Sequence, residues 1–229
     1  MYRETTSALV GGAVLWWSTA PPGATPVRVL PDGCMDLIWS ERHGLLVAGP
    51  DTAAQVGTAT GERYVGLRFP PGTGPAVFGV PAYELRDQRV PLTALWSDAR
   101  TRELDERAAY ADHPERLLES VAAARLGDAG GPDPIARTLV ARLGAGADVA
   151  GTAADFGLGP RQLHRRSRAL FGYGPKTLAR ILRMQRALAL LRTGVPAADT
   201  AVRTGYADQP HLSREIRALA GVPPRDLIT

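Results

Sequence analysis

Two stretches of the chain concentrate side chains that can grip or read a nucleic acid. Arg161, His164, Arg165 and Arg168 recur at helical spacing, and Ser213, Arg214 and Arg217 recur the same way further on. An Arg fork pairs with guanine O6 and N7 or with phosphate oxygens. One such row fits a solvated basic face on an ordinary bundle equally well; two rows in register favour nucleic acid. Enzyme chemistry has less to work with. His43, His113, His164 and His211 are scattered, and Cys34 is alone, which excludes an internal disulfide and a cysteine-based zinc site. No Gly-x-Ser-x-Gly, P-loop or dinucleotide fingerprint occurs. No catalytic residue, metal ligand or cofactor is therefore expected. Cys34, between a turn and a strand, is either a reactive thiol or an inert buried one. Tyr64 and Arg68 share a strand face and either line a pocket or face solvent. With Trp39 they make up the candidate effector contacts.

The elements that must hold the two basic rows are themselves repeated. Ala153 to Leu158 is matched by Ala201 to Tyr206, and Leu163 through Gly172 and Pro175 by Leu212 through Gly221 and Pro224. Each copy reads helix, glycine-containing turn, helix, then a Gly/Pro stop, the helix-turn-helix outline. In the second copy Asp208 can cap the helix, and Leu212, Ile216 and Leu219 form its buried stripe opposite Pro210, Ser213, Arg214 and Arg217. In the first, Pro160 suits the first turn, and Leu163, Ser167 and Leu170 hold the equivalent positions. Between them, Pro175 to Thr193 predicts one helix with Leu178, Ile181, Leu182, Gln185, Leu188 and Leu191 on a stripe. At about 1.5 Å per residue it spans roughly 28 Å. Recognition helices in successive major grooves lie about 34 Å apart, so a connector of this length is of the right order.

Composition supports a split. The chain has 229 residues, 27 basic and 23 acidic, for a net charge of +4, and Lys176 is its one lysine. Coding bias accounts for Arg over Lys, but not for where the arginines fall. Dividing at Gly130-Gly131-Pro132, residues 1–131 hold 12 Arg against 16 acids (−4), and residues 132–229 hold 15 basic residues against 7 acids (+8). Two domains are expected, 1–131 and 132–229, the second basic. The first reads as β-structure: Val27 to Leu30, then alternation from Met35 to Ser40, a loop at Arg42-His43-Gly44, Leu45 to Ala48, and Tyr64 to Phe69 stopped by Pro70-Pro71-Gly72. From about Pro81 the pattern turns helical, with two helices between Trp96 and Leu126. Arg3, the apolar run Ala8 to Trp17 and Ser18-Thr19-Ala20 outline a signal peptide, but Glu4 and Gly11-Gly12 disfavour it. A buried strand at Ala13 to Trp17 is expected instead. No apolar run is long enough for a membrane span.

The stretch Ala201 to Leu227 (AVRTGYADQPHLSREIRALAGVPPRDL), with the upstream copy GLGPRQLHRRSRALFGYGPKTLARILRMQRALALL, resembles the AraC/XylS family of bacterial transcription regulators over about 95 C-terminal residues. The resemblance implies seven helices, with two helix-turn-helix units joined by a long linker helix. It also implies base-edge contacts from Arg161, His164 and Arg165 in the first unit and from Gln209, Ser213 and Arg214 in the second. Ser167 stands where the family usually has an aromatic, which removes about 1.5–3 kcal/mol of apolar burial and predicts a looser first unit. Gly174 replaces a frequent Ser, and Ile216 a usual Phe. The segments LPDGCMDLIW, VAGP, GLRFPPG and GVPAYELRDQRVPL resemble a cupin-like sensor domain of some regulators of this family. The expectation is an α+β protein: a small cupin-like β-barrel with trailing helices, then an all-α DNA-binding domain. It would be a cytoplasmic regulator, an activator working with RNA polymerase on double-stranded DNA, with a small effector in its first domain and a homodimer possible. Two alternatives stand beside it: an electrophile sensor acting through Cys34, and a constitutive regulator whose first domain only dimerises. Regulators that join this module to a cysteine-rich alkyl-acceptor domain are a version that the single cysteine, Cys34, excludes.

Overall fold

A computed structural model of the chain describes residues 1–19, 21, 23, 27–57 and 61–228. Ala20, the end of the signal-like outline, lies outside the described residues. The expected strand is β2 (Val14–Thr19), paired antiparallel with β1 (Tyr2–Thr6). They join β4 (Met35–Ser40), β5 (Gly44–Ala48), β7 (Arg63–Phe69) and β8 (Arg89–Pro91) in one antiparallel sheet, in the order β1-β2-β7-β4-β5-β8. The sheet is open: β1 and β8 are its edges, so the expected barrel does not close. Strands β3 (Val27–Val29) and β6 (Gln55–Gly57) form a separate two-stranded ribbon.

Period-two alternation gives the large sheet two different faces. Leu15, Leu37, Val65, Leu67 and Phe69 are buried on one face, in the core with α1 (Gly74–Phe78), α2 (Asp98–Tyr110) and α3 (Pro114–Asp128). Buried Glu119 of α3 accepts from the Ser7 hydroxyl and the Ala8 and Leu9 amides, tying the β1–β2 loop to the helical layer. The stretch after Pro81 is less helical than its sequence suggests. It makes two 3-10 turns, Ala82–Glu84 and Leu92–Ala94, with β8 between them.

The second half folds as α4 (Pro134–Gly144), α5 (Val149–Asp155), α6 (Pro160–Phe171), α7 (Pro175–Arg192), α8 (Ala197–Thr204), α9 (Gln209–Ala220) and a closing 3-10 turn, Pro224–Leu227. Helix α7 is the axis of its core. The buried residues are Pro175, Leu178, Ile181, Met184, Ala187, Leu188 and Leu191, so the stripe is rotated slightly from its predicted position. Leu182 is half-buried, and the Gln185 amide donates instead to the Pro31 carbonyl of the first half (2.6 Å).

Ser167 is the departure from expectation here. It is fully buried, and its hydroxyl donates to the Tyr173 carbonyl at 2.8 Å, pinning α6 to the turn that starts α7. A hydrogen bond stands where an aromatic was missed, which offsets the predicted looseness. Ser167→Ala leaves that buried carbonyl unmet and is expected to cost about 1–3 kcal/mol in urea unfolding. A second test concerns close approach: a Cβ on Gly49 would sit 1.7 Å from the Leu85 carbonyl oxygen, whereas one on Gly127 would meet nothing within 4 Å. Gly49→Ala should therefore destabilise by about 1–3 kcal/mol or more. Gly127→Ala, inside α3, should stabilise by about 0.5–1 kcal/mol in the same assay.

Candidate nucleic-acid interface and effector cavity

The two basic rows lie on equivalent helices. Helix α9 starts at Asp208, whose carboxylate accepts from the His211 amide at 2.6 Å, and ends at left-handed Gly221. Leu212, Ile216 and Leu219 are buried, while Gln209, Arg214 and Arg217 are exposed and Ser213 is half-buried. Helix α6 starts with Pro160 and ends at left-handed Gly172. Its Leu163, Ser167 and Leu170 are buried, and Arg161, His164, Arg165 and Arg168 are exposed. Each predicted recognition residue thus lies off the packed face of its helix.

The other arginines of this half hold the scaffold. Arg180 of α7 grips Glu215 of α9 with two hydrogen bonds (2.9 and 3.2 Å), and Arg183 stands 3.8 Å from the same carboxylate. The Arg180 hydrogen bond holds the Glu215 carboxyl below its ordinary range. Arg166 forks onto Asp133, which also caps α4. Arg142 pairs with Asp155, and Arg186 donates to the Gly144 carbonyl. Among the described residues, Arg161, Arg165, Arg214 and Arg217 have no carboxylate within ion-pair distance, whereas Arg168 lies over the Tyr83 ring at 5.2 Å. The spacing alone did not separate scaffold arginines from free ones.

On the other side of the large sheet, a cavity of about 250 Å³ lies beneath the β3–β6 ribbon. Three of the four predicted effector contacts, Cys34, Tyr64 and Arg68, line it. Trp39 does not. It is in phase with Met35 and Leu37 and is buried in the core on the opposite face, so its assignment to the effector set is corrected. Its strand neighbours Asp36 and Ile38 face the cavity instead. The Trp16 indole donates to Asp36 at 2.6 Å and rests against Gly66, where a Cβ would lie 2.3 Å from the ring. Arg68 sits 3.6 Å from Asp36 and 3.7 Å from Asp32, and Arg89 forks onto Asp51 (2.8 and 2.6 Å). Burial, opposed mainly by Arg68, pushes the Asp36 carboxyl up to about 6. Burial and then Asp32 and Asp36 push the Cys34 thiol well above its ordinary value, which disfavours the nucleophilic thiolate. The polar alternation of Asp36 within an otherwise apolar strand was the signal that could have found this wall.

The ribbon also touches the second half. Val27 and Val29 line the cavity, and Arg28 between them donates to the Ala220 carbonyl at the end of α9 (2.9 Å). The Ala54 amide donates to the neighbouring Leu219 carbonyl (2.8 Å). The α6–α7 turn packs on the same half: a Cβ on Gly172 would lie 2.6 Å from Pro50, and buried Tyr173 borders Gly33. Among the described residues no helix is long and apolar enough to cross a membrane.

Comparison with known proteins finds a match in each half of the chain. Residues 152–229 match a family described as "Helix-turn-helix domain", and residues 13–91 match a domain of unknown function (DUF6597). No curated protein sequence is significantly similar to the chain. Among solved structures, unsaturated fatty acid-bound ToxT from Vibrio cholerae is 10% identical, covers 100% of this chain and 97% of its own, and superposes with a TM-score of 0.51. The C-terminal domain of AraT, a response regulator from Geobacillus stearothermophilus, is 24% identical over 42% of this chain and 84% of its own, with a TM-score of 0.38. The ToxT likeness is one of fold and runs over the whole chain. The matched model thus assigns residues 152–229 of this α+β chain to a helix-turn-helix domain, in agreement with the paired units seen in the fold.

Proposed function

We propose that the chain is a sequence-specific, cytoplasmic transcription activator that binds double-stranded DNA through residues 132–229 and a small effector through residues 1–131. The carrying observation is that two helices with locked inner faces present Arg161, Arg165, Arg214 and Arg217 without ion-pair partners among the described residues. In this reading α6 and α9 enter successive major grooves, with Arg161, His164, Arg165, Gln209, Ser213 and Arg214 at base edges. Arg168 and Arg217 lie toward the phosphates. One chain then carries both contacts, and a homodimer would double the site rather than complete it. An activator also implies a contact with RNA polymerase.

The effector half of the proposal is supported by the cavity and by strand β3, which meets the cavity through Val27 and Val29 and α9 through Arg28. Occupancy that shifts the ribbon would be felt at a recognition helix. The ToxT structure, which holds an unsaturated fatty acid, suggests a small organic effector. The Cys34 sensor is the weaker reading, because burial and two carboxylates hold the thiol protonated.

Gel-shift titration of the full chain on its selected duplex tests the DNA half. Arg214→Ala is expected to weaken binding by about 1–3 kcal/mol and to relax discrimination at one base step. Equal weakening on every sequence, with a shallower salt dependence, would reassign Arg214 to a phosphate. Unchanged affinity would remove α9 from the interface.

A further inference from the structure

We propose that the cavity beneath the β3–β6 ribbon takes a small organic cation with an apolar or aromatic body, an amine or quaternary ammonium, rather than a carboxylate. This rests on reading the cavity as an effector site. Its volume, about 250 Å³, exceeds the roughly 150 Å³ that accommodates benzene in an engineered protein core. The apolar part of the lining suits such a body. Trp16 and Tyr2 stack at 6.4 Å, Ile38 lies on the sheet face, and Val27 and Val29 line the ribbon side.

The charges decide the sign. Four carboxylates line the cavity, Asp32, Asp36, Asp51 and Glu62, against two guanidiniums, Arg68 and Arg89. Arg89 is taken up by its fork on Asp51, and Arg68 is shared between Asp32 and Asp36. Neither arginine is left over to receive a carboxylate. An entering anion would meet an excess of two negative charges in a partly desolvated space, where Coulomb terms are several times stronger than in water. A cation offsets that excess, and the indole and phenol faces attract it further. Glu62 is held by the Arg42 amide and the Tyr64 hydroxyl, with His43 at 3.7 Å, so the uncompensated charge nearest the aromatic wall is on the Asp32–Asp36 pair.

That pair also fixes the pH response. Asp36 is faced by Arg68 of β7, Arg89 of β8, Asp32 and the Cys34 thiol of the turn before β4, and the Trp16 N–H of β2. Its carboxyl titrates near 6, so a cation binds the ionised form and loses affinity as pH falls through that value. An anion would gain affinity over the same range.

Calorimetry and tryptophan fluorescence on the full chain test this with three probes of similar body: phenyltrimethylammonium, its neutral isostere tert-butylbenzene, and phenylacetate. The expected result is saturable binding of the cation at one site, at least about tenfold tighter than either of the others. That affinity should weaken between about pH 7 and about pH 5. Asp36→Asn and Asp32→Asn each keep an acceptor for the bond the aspartate makes now, to the Trp16 indole and the Cys34 amide respectively. Both variants, checked for native melting, should weaken the cation about tenfold or more and leave the neutral probe unchanged. Tighter binding of phenylacetate, or cation binding indifferent to both substitutions, overturns the ligand class; if phenylacetate also changes DNA affinity, the effector reading survives. If no probe binds, both the ligand class and the effector reading fall.

Discussion

The C-terminal half depends on the packing of α6 and α9 against α7. Leu163 and Leu170 on one side, and Leu212, Ile216 and Leu219 on the other, share a core with Leu178, Ile181, Met184 and Leu188. Each such side chain contributes about 1.5–3 kcal/mol on burial. Because the inner faces of α6 and α9 are used for packing, their outer faces are left for arginine. The polar locks add orientation to that packing. Arg180 on Glu215 fixes the roll of α9, and Arg166 on Asp133 ties α6 to α4. A helix free to roll would not hold its outer face in one orientation.

The N-terminal half solves a different problem with the same economy of faces. One side of its sheet is dry core under α1, α2 and α3; the other carries carboxylates, arginines and aromatic rings around a cavity. Gly66 makes this possible locally, because only a residue without a side chain leaves room for the Trp16 indole across the strand pair. The short ribbon is the element shared by cavity and helix α9. The modest net charge of +4 conceals a negative first half and a strongly positive second half.

Much of this was legible in the sequence where a period repeats often enough to be read. The 3.6-residue stripes of α6 and α9, the Asp208 cap and the Gly172 and Gly221 stops stand where spacing placed them. So do the strands around Leu37 and Leu67. What was not legible depends on distant partners. Nothing near Asp36 in sequence says that Arg68 and Trp16 converge on it. Trp39 stands among the candidate effector contacts, yet its parity with Leu37 assigns it to the core. The fork of Arg180 and the hydroxyl of Ser167 are satisfied from elsewhere in the fold, so local spacing could not set them apart. Sheet closure depends on pairings that strand patterns do not encode, and the barrel expected from resemblance is an open sheet.

On the reading proposed above, a single chain reads DNA through two equivalent helices held by one connector. Selection of bound duplexes from a random pool by the full chain, with the stoichiometry of the complex measured on the winning sequence, tests it most directly. The expected result is two short conserved blocks about one helical turn apart, roughly 10 bp between centres, occupied by one protomer. Enrichment of a single block, or two blocks that require two protomers, would contradict it.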